Sequence, residues 1–207
     1  MNNFFFENKF YLTTNLKRQS KHLYLYEQLK KIIKVKGDII ELGVFKGASL
    51  SRIILFSRLL GMKNKIIYGF DVFKKLNKTK NDFDFKDYFD WSKNLGSVIS
   101  KNDLLKNLNN RKLNKKIKLI DGDVRQTLPK NLPKKICFVN LDLDIYDPTD
   151  FCLPYLWNNL SASGIILLDN FKAFKGETEA VNKFIKNKNI KVNKVKFGDR
   201  TFYFLKK

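Results

Sequence analysis

Acidic residues close several short apolar runs in this sequence. Ile136–Leu141 (ICFVNL) is followed by Asp142-Leu143-Asp144, and Ile165–Leu168 by Asp169-Asn170. Brought together, these side chains offer three or four oxygen ligands, a hard-cation site for which Mg²⁺ is the default occupant. Such a cation on an acceptor hydroxyl lowers its pKa, so that a neighbouring carboxylate can take the proton. Unrelated strand-end acids with an Asx turn at Asp169-Asn170 would give the same letters. A second group spans Gly37–Ser51, GDIIELGVFKGASLS. It reads as strand, glycine turn and helix, the layout that sets backbone N–H groups and a helix N-terminus beside a nucleotide. Its pattern is E-x-G-x-x-x-G. Gly43 keeps a Cβ out of an approaching ligand's way, and Gly47 allows tight helix-on-strand packing. Glu41 would repel a dinucleotide pyrophosphate but welcome the amino group and sulfonium of S-adenosylmethionine. An ordinary βα turn is the competing reading.

Two further acids extend the nucleotide reading. The run Lys65–Phe70 (KIIYGF) ends at Asp71, which is placed to accept hydrogen bonds from both ribose hydroxyls. Lys116–Ile120 leads into Asp121-Gly122-Asp123-Val124, where Asp123 suits the exocyclic amine of an adenine.

The elements that must position these residues alternate. A helix is predicted from about Ser20 to Lys34, with Leu25, Leu29, Ile32 and Ile33 at helical spacing. Another runs from about Gly47 to Leu60, and others cover Val98–Leu108, Phe151–Leu160 and Thr178–Lys186. Thr127–Pro133 reads as a turn region. Lys191–Phe197 and Thr201–Leu205 read as an antiparallel hairpin. Strand and helix in alternation give an α/β fold: a single doubly wound, Rossmann-like sheet, mostly parallel, and the C-terminal antiparallel hairpin is the variant of that sheet expected of a methyltransferase. Ligands of such sheets sit outside the carboxyl ends of the strands, where the acids lie. Residues 1–36 read as an N-terminal extension and helix, and 37–207 as the methyltransferase domain. Within the latter, Asn81–Trp91 alternates acids with aromatics, either a lid over a substrate or an amphipathic element with its rings in the core. Met1–Ser20 has no clean period. Phe4, Phe5, Phe6, Phe10 and Tyr11 are expected to bury either against the domain or against a second subunit, a homodimer being one of the two alternatives.

Composition bounds the partners. The chain has 207 residues, 43% of them hydrophobic. No apolar run approaches the ~18 residues of a membrane span, so a cytoplasmic protein is expected. Cys137 and Cys152 have neither metal-ligand spacing nor histidines nearby, and His22 is the only histidine. The formal net charge is +21. It fits an anionic partner, or a lysine-rich composition whose charges solvate the surface. Lysines spread along the whole chain favour the second reading. No dedicated nucleic-acid module or aromatic-basic stacking motif is visible.

Taken in order, ELGVFKGAS, YGFD, IDGDVRQTLP, NLDLDIYDPT, GIILLDN and GETEAVNKF resemble the macrocin O-methyltransferase family of metal-dependent sugar methyltransferases. The resemblance spans about Gly37–Phe184. It implies S-adenosylmethionine, a divalent cation such as Mg²⁺, and methylation of a hydroxyl on a small-molecule sugar, nucleotide-linked or part of a glycan. Motif by motif, it gives Glu41, Gly43, Gly47 and Ser49 to the cofactor turn, Asp71 to the ribose and Asp123 to the adenine region. It makes Asp142 the general base, a metal ligand and a cofactor neighbour. Asp169 and Asn170 are the remaining metal ligands, and Asp144 could substitute for Asp142. The family more often shows two acids where this chain has Asp169-Asn170. The Asp-Asn pair is similar to the catechol and caffeoyl-CoA methyltransferases, which keeps a phenolic acceptor as the alternative. Those enzymes carry a lysine shortly after the first metal acid, and Leu143 and Ile145 supply none. An RNA-binding protein or RNA methyltransferase is the reading from another class.

Overall fold

The computed structural model describes residues 3–74, 93, 96–198 and 201–206. Its elements are α1 (Asn3–Thr13), α2 (Leu16–Lys31), β1 (Asp38–Leu42), α3 (Ala48–Leu59), β2 (Ile67–Asp71), α4 (Lys101–Asn110), β3 (Ile117–Asp121), α5 (Val124–Asn131), β4 (Ile136–Leu141), α6 (Tyr146–Asn159), β5 (Leu160–Leu168), α7 (Lys175–Lys188), β6 (Val192–Lys194) and β7 (Phe202–Leu205). Asn81–Trp91, read above as lid or core element, lies outside the described residues.

The apolar runs assemble one seven-stranded sheet in the order β3-β2-β1-β4-β5-β7-β6. Strands β1 to β5 are parallel, and β7 runs antiparallel between β5 and β6. The chain leaves β1 towards β2 and β3, then returns to place β4 on the other side. That reversal opens a crevice at the carboxyl ends of β1 and β4, where ligands of such sheets bind. Register aligns the strand ends. Leu42 pairs with Phe70 on one side and Leu141 on the other, and Leu141 pairs with Leu168. The residues that follow these strands therefore emerge at one edge.

Alternation along the strands feeds two apolar layers. Ile39 and Phe138 pack with Leu29, Leu50, Ile53, Leu104 and Leu108 of α2, α3 and α4, and with Ile32 at the end of α2. Ile40 and Val139 pack with Leu128, Leu153, Leu156, Val181 and Phe184 of α5, α6 and α7. Every residue of β4 is buried. Each such Leu or Ile contributes about 1.5–3 kcal/mol relative to exposure.

Some elements differ from the sequence reading. Helix α2 begins at Leu16, because Asn15 caps it by accepting the Arg18 N–H at 3.0 Å. Met1–Ser20 also contains a helix, α1, whose aromatic residues do not follow one face. Phe4, Phe5 and Phe6 are 68%, 60% and 50% exposed, so the expected burial is not met within this chain. The predicted turn over Thr127–Pro133 is largely helix α5. Asp123 caps it, and Val124 and Leu128 bury one turn apart. Pro129 is tolerated near the end of this short helix, at the cost of one N–H donor. Helix α6 starts at Tyr146 rather than Phe151, with Pro148 in its first turn, where an N–H has no intrahelical partner to lose. Strand β5 follows at once and includes a left-handed residue, Ser163 (φ 64°). Among the described residues, no helix is long and apolar enough to cross a membrane.

Candidate active site

A cleft of about 1080 Å³ opens at the carboxyl ends of β1, β2, β4 and β5, with α2 as one wall. The glycine turn forms its centre. Gly43 has φ 85°, and its N–H donates to Phe70 O at 2.9 Å. A Cβ there would overlap the carbonyl oxygen of Asp142. The glycine is thus required by the close crossing of two strand-end backbones, before any ligand is considered. Gly47, at φ 79°, precedes α3, and its Cβ position lies 2.5 Å from Leu104 Cδ1. Its close packing is against α4, rather than on a strand as its sequence context suggested.

Glu41 is fully buried between β2 and β4. Its Oε1 accepts from Asn140 Nδ2 at 3.0 Å, while Oε2 has no hydrogen-bond partner among the described residues. Burial pushes its carboxyl up to about 8, against the opposing pull of Ser49 and Asn140. Asp71 accepts the Phe45 N–H at 2.7 Å on one oxygen and the Phe73 N–H at 2.8 Å on the other. An ionised carboxylate has about four acceptor positions, so it retains capacity for the two hydroxyls of a ribose. Asp123 follows Gly122 (φ 126°) and accepts the Arg125 N–H at 2.9 Å. Its side chain also pairs with the Arg125 guanidinium, Nη2 to Oδ2 at 2.5 Å, which holds the carboxyl below its usual range. Both oxygens of Asp123 thus already serve Arg125.

The acid cluster lies beside this turn. Asn170 Nδ2 donates to Asp142 Oδ1 and to Asp144 Oδ1, each at 2.5 Å. Asp169 is engaged by α2 instead: Lys21 Nζ donates to Oδ2 at 2.7 Å and Tyr24 O–H to Oδ1 at 2.9 Å. Beneath them sits Glu177, fully buried in the first turn of α7. It accepts the backbone N–H of Asp144 on one oxygen and of Asn170 on the other, both at 3.2 Å. Burial, followed by the charge of Asp169, pushes Asp142 up to about 7. Burial also raises Asp144 and Glu177 well above the carboxylate range, with their acidic neighbours adding to the shift.

Sequence reasoning thus named Asp142, Asp144, Asp169 and Asn170, which the fold brings to one place. It missed Lys21, Tyr24 and Glu177 as members of the cluster. Lys21 reaches Asp169 across 148 positions, so the only local signal was that Lys21 and Tyr24 share a helix face. Glu177 stood in the last of the six motifs and could have been found there. The lysine that Leu143 and Ile145 do not provide arrives from α2. His22 does not line the cleft. It contacts Arg18 O at 3.2 Å and the Phe10 ring. Both cysteines are buried free thiols.

The residues present suit both implied groups. For the cofactor, the cleft offers a cradle that a Cβ at Gly43 would spoil, and a buried Glu41 oxygen left without a partner. For the cation, no three His, Cys, Asp or Glu side chains among the described residues stand as a ready metal shell. The donor chemistry fits nonetheless. Asp169 pairs with the Lys21 ammonium, while Asp142, Asp144 and Glu177 are raised first by burial and then by the charges of their acidic neighbours, which a cation would relieve. An Asn170 amide turned over would present oxygen to Asp142 and Asp144.

Comparison with known proteins bears on this arrangement. Residues 18–206 match the family described as Macrocin-O-methyltransferase (TylF). No curated protein matches the chain. Among solved structures, the O-methyltransferase NovP is similar with a TM-score of 0.81 at 18% identity, over 90% of this chain and 79% of its own. CalS11, a calicheamicin methyltransferase, gives 0.76 at 20% identity over 96% and 83%. Its apo structure, described as a TDP-rhamnose 3′-O-methyltransferase, gives 0.72 at 19% identity over 99% and 86%.

Proposed function

The chain belongs to the macrocin O-methyltransferase family, and from that premise we propose that it methylates a hydroxyl of a sugar, nucleotide-linked or part of a glycan. The family makes it an S-adenosylmethionine-dependent O-methyltransferase. The observation that carries the finer reading is the meeting, in one cleft, of the glycine turn with the acid cluster. A relative of similar fold acts on a TDP-linked sugar, which supports an acceptor of that class.

Bound S-adenosylmethionine supplies an electrophilic methyl group. Glu41 would meet its amino group, Asp71 would accept hydrogen bonds from its ribose hydroxyls, and the Asp123–Val124 turn would border its adenine. Gly43, Gly47 and Ser49 shape the turn that carries them. In-line transfer asks the protein mainly for alignment and for removal of one proton. Asp142 is the base in this reading. It directly follows the central strand, beside Asp169, and Asp144 shares the same Asn170 amide. Asp142, Asp169 and Asn170 would hold a divalent cation, Mg²⁺ by default, whose charge would stabilise the developing alkoxide. Lys21 and Tyr24 then keep Asp169 oriented.

The Asp169-Asn170 pair also favours a second reading, methylation of a phenol. Incubation with S-adenosylmethionine and Mg²⁺ against TDP-rhamnose and against a catechol separates the two. Product from the sugar is the expected result, and product from the catechol alone reverses the assignment.

A further inference from the structure

Two buried polar atoms at the cofactor end of the cleft have no hydrogen-bond partner among the described residues, Oε2 of Glu41 and Nε of Arg52. Glu41 lies in β1, just before the glycine turn. Arg52 lies in α3, just after that turn, and lines the same cleft. The two are close enough for the Arg52 charge to act on the Glu41 carboxyl, yet among the described residues Arg52 forms no ion pair. Ser49, one turn before Arg52 on the same face of α3, also lines the cleft and lies close to Glu41.

A buried charged group without a partner is costly, far more so than one that is paired. Here one carboxyl oxygen of fully buried Glu41 and the Nε of half-buried Arg52 lie close together, and among the described residues neither has a hydrogen-bond partner. A carboxylate oxygen lacks a cationic donor, and a guanidinium N–H lacks an anionic acceptor. A single inorganic ion could satisfy only one of them. The ligand chemistry that satisfies both is an α-amino acid zwitterion, with its ammonium and carboxylate on one carbon. The cofactor of the proposed reaction carries that group at one end, opposite its adenine.

We infer that Arg52 binds the α-carboxylate of the cofactor's amino-acid end, while Glu41 takes its α-ammonium. This rests on the S-adenosylmethionine reading above. Arg52 was not among the residues marked by sequence, because an arginine in a predicted helix reads as solvated surface. Guanidinium and carboxylate match as planar, two-point partners, so the contact fixes the orientation of the amino-acid end as well as its charge. It anchors the cofactor beyond its sulfur without touching the acceptor's side of the cleft.

Three ligands test this in calorimetry at neutral pH: S-adenosylhomocysteine, its decarboxylated analogue, and 5′-methylthioadenosine, which lacks the whole amino-acid end. In the wild-type protein S-adenosylhomocysteine should bind about 10- to 100-fold more tightly than the decarboxylated analogue, as expected for a charge-assisted contact. Arg52→Met should erase that difference while leaving 5′-methylthioadenosine affinity unchanged, and Arg52→Lys should fall between. Equal weakening of all three ligands in Arg52→Met, or no change in any, overturns the inference. Should Arg52→Met fail to fold in a thermal melt, the wild-type ligand ratio and Arg52→Lys decide it. Wild-type protein that binds none of the three defeats the cofactor reading itself. Wild-type protein that binds S-adenosylhomocysteine no better than its decarboxylated analogue defeats only the role of Arg52.

Discussion

Glu41→Gln removes a buried charge while preserving the shape of the strand end. Burial lifts the Glu41 carboxyl from an ordinary 4.5 to about 8. A carboxyl whose folded pKa exceeds its unfolded value contributes stability that is fully present below about pH 4.5. That contribution is lost as pH rises through about 8. Each pKa unit corresponds to roughly 1.4 kcal/mol, so the whole span is worth on the order of 5 kcal/mol. Glutamine does not titrate, and it resembles the protonated acid in accepting from Asn140. Wild type and variant should therefore melt together near pH 4.5 and diverge as pH rises. By pH 8.5 the variant should be the more stable, by roughly 10 °C at about 2–4 °C per kcal/mol for a chain of this size. The assay is calorimetric melting of both cofactor-free proteins from pH 4.5 to 8.5. Asp144 and Glu177 also titrate abnormally but are common to both proteins, whereas Asp142 acts directly on Glu41 and adds its coupling to the difference. The same variant should bind S-adenosylhomocysteine about tenfold or more weakly, because the ammonium loses its charged partner. A melting difference that does not change with pH, together with wild-type ligand affinity, refutes both the burial argument and the role given to Glu41.

With TDP-rhamnose as probe acceptor, Asp142→Asn should lose most of kcat but keep its affinity for S-adenosylhomocysteine. EDTA should abolish turnover and Mg²⁺ restore it, so full turnover in thoroughly chelated enzyme would leave the cation reading untenable. Asp169→Ala should weaken the Mg²⁺ requirement's apparent affinity and be partly rescued by excess Mg²⁺. Gly43→Val places a side chain on the Asp142 carbonyl, so both melting temperature and cofactor affinity should fall, and an unchanged melting temperature would contradict the crowding seen there. Deleting residues 1–11 removes the exposed rings of Phe4, Phe5 and Phe6. Either the mass from light scattering or the acceptor KM should then change, and if both stay unchanged the segment is a dispensable tail.

The sequence by itself determined the parts whose signals are local. Ile136–Leu141 reads as a strand because all six side chains can be buried, and β4 has those bounds. The acids after β4 and β5 mark the ligand edge because each follows an apolar run, and a parallel sheet aligns the ends of such runs. Six ordered motifs were enough for the family. Helices were less legible where burial did not impose a period. In α1 the aromatic residues follow no single face, and in α5 a proline near the end masks one short amphipathic turn. Tertiary structure alone decided which charges meet. Lys21 and Tyr24 reach Asp169 and Glu177 bridges two loops, because helices packed on the sheet bring together residues far apart in the chain, and the fold leaves Arg52 Nε without a hydrogen-bond partner among the described residues. Residue type and spacing specify what a side chain can do, but its partners and its pKa depend on what the folded chain places around it.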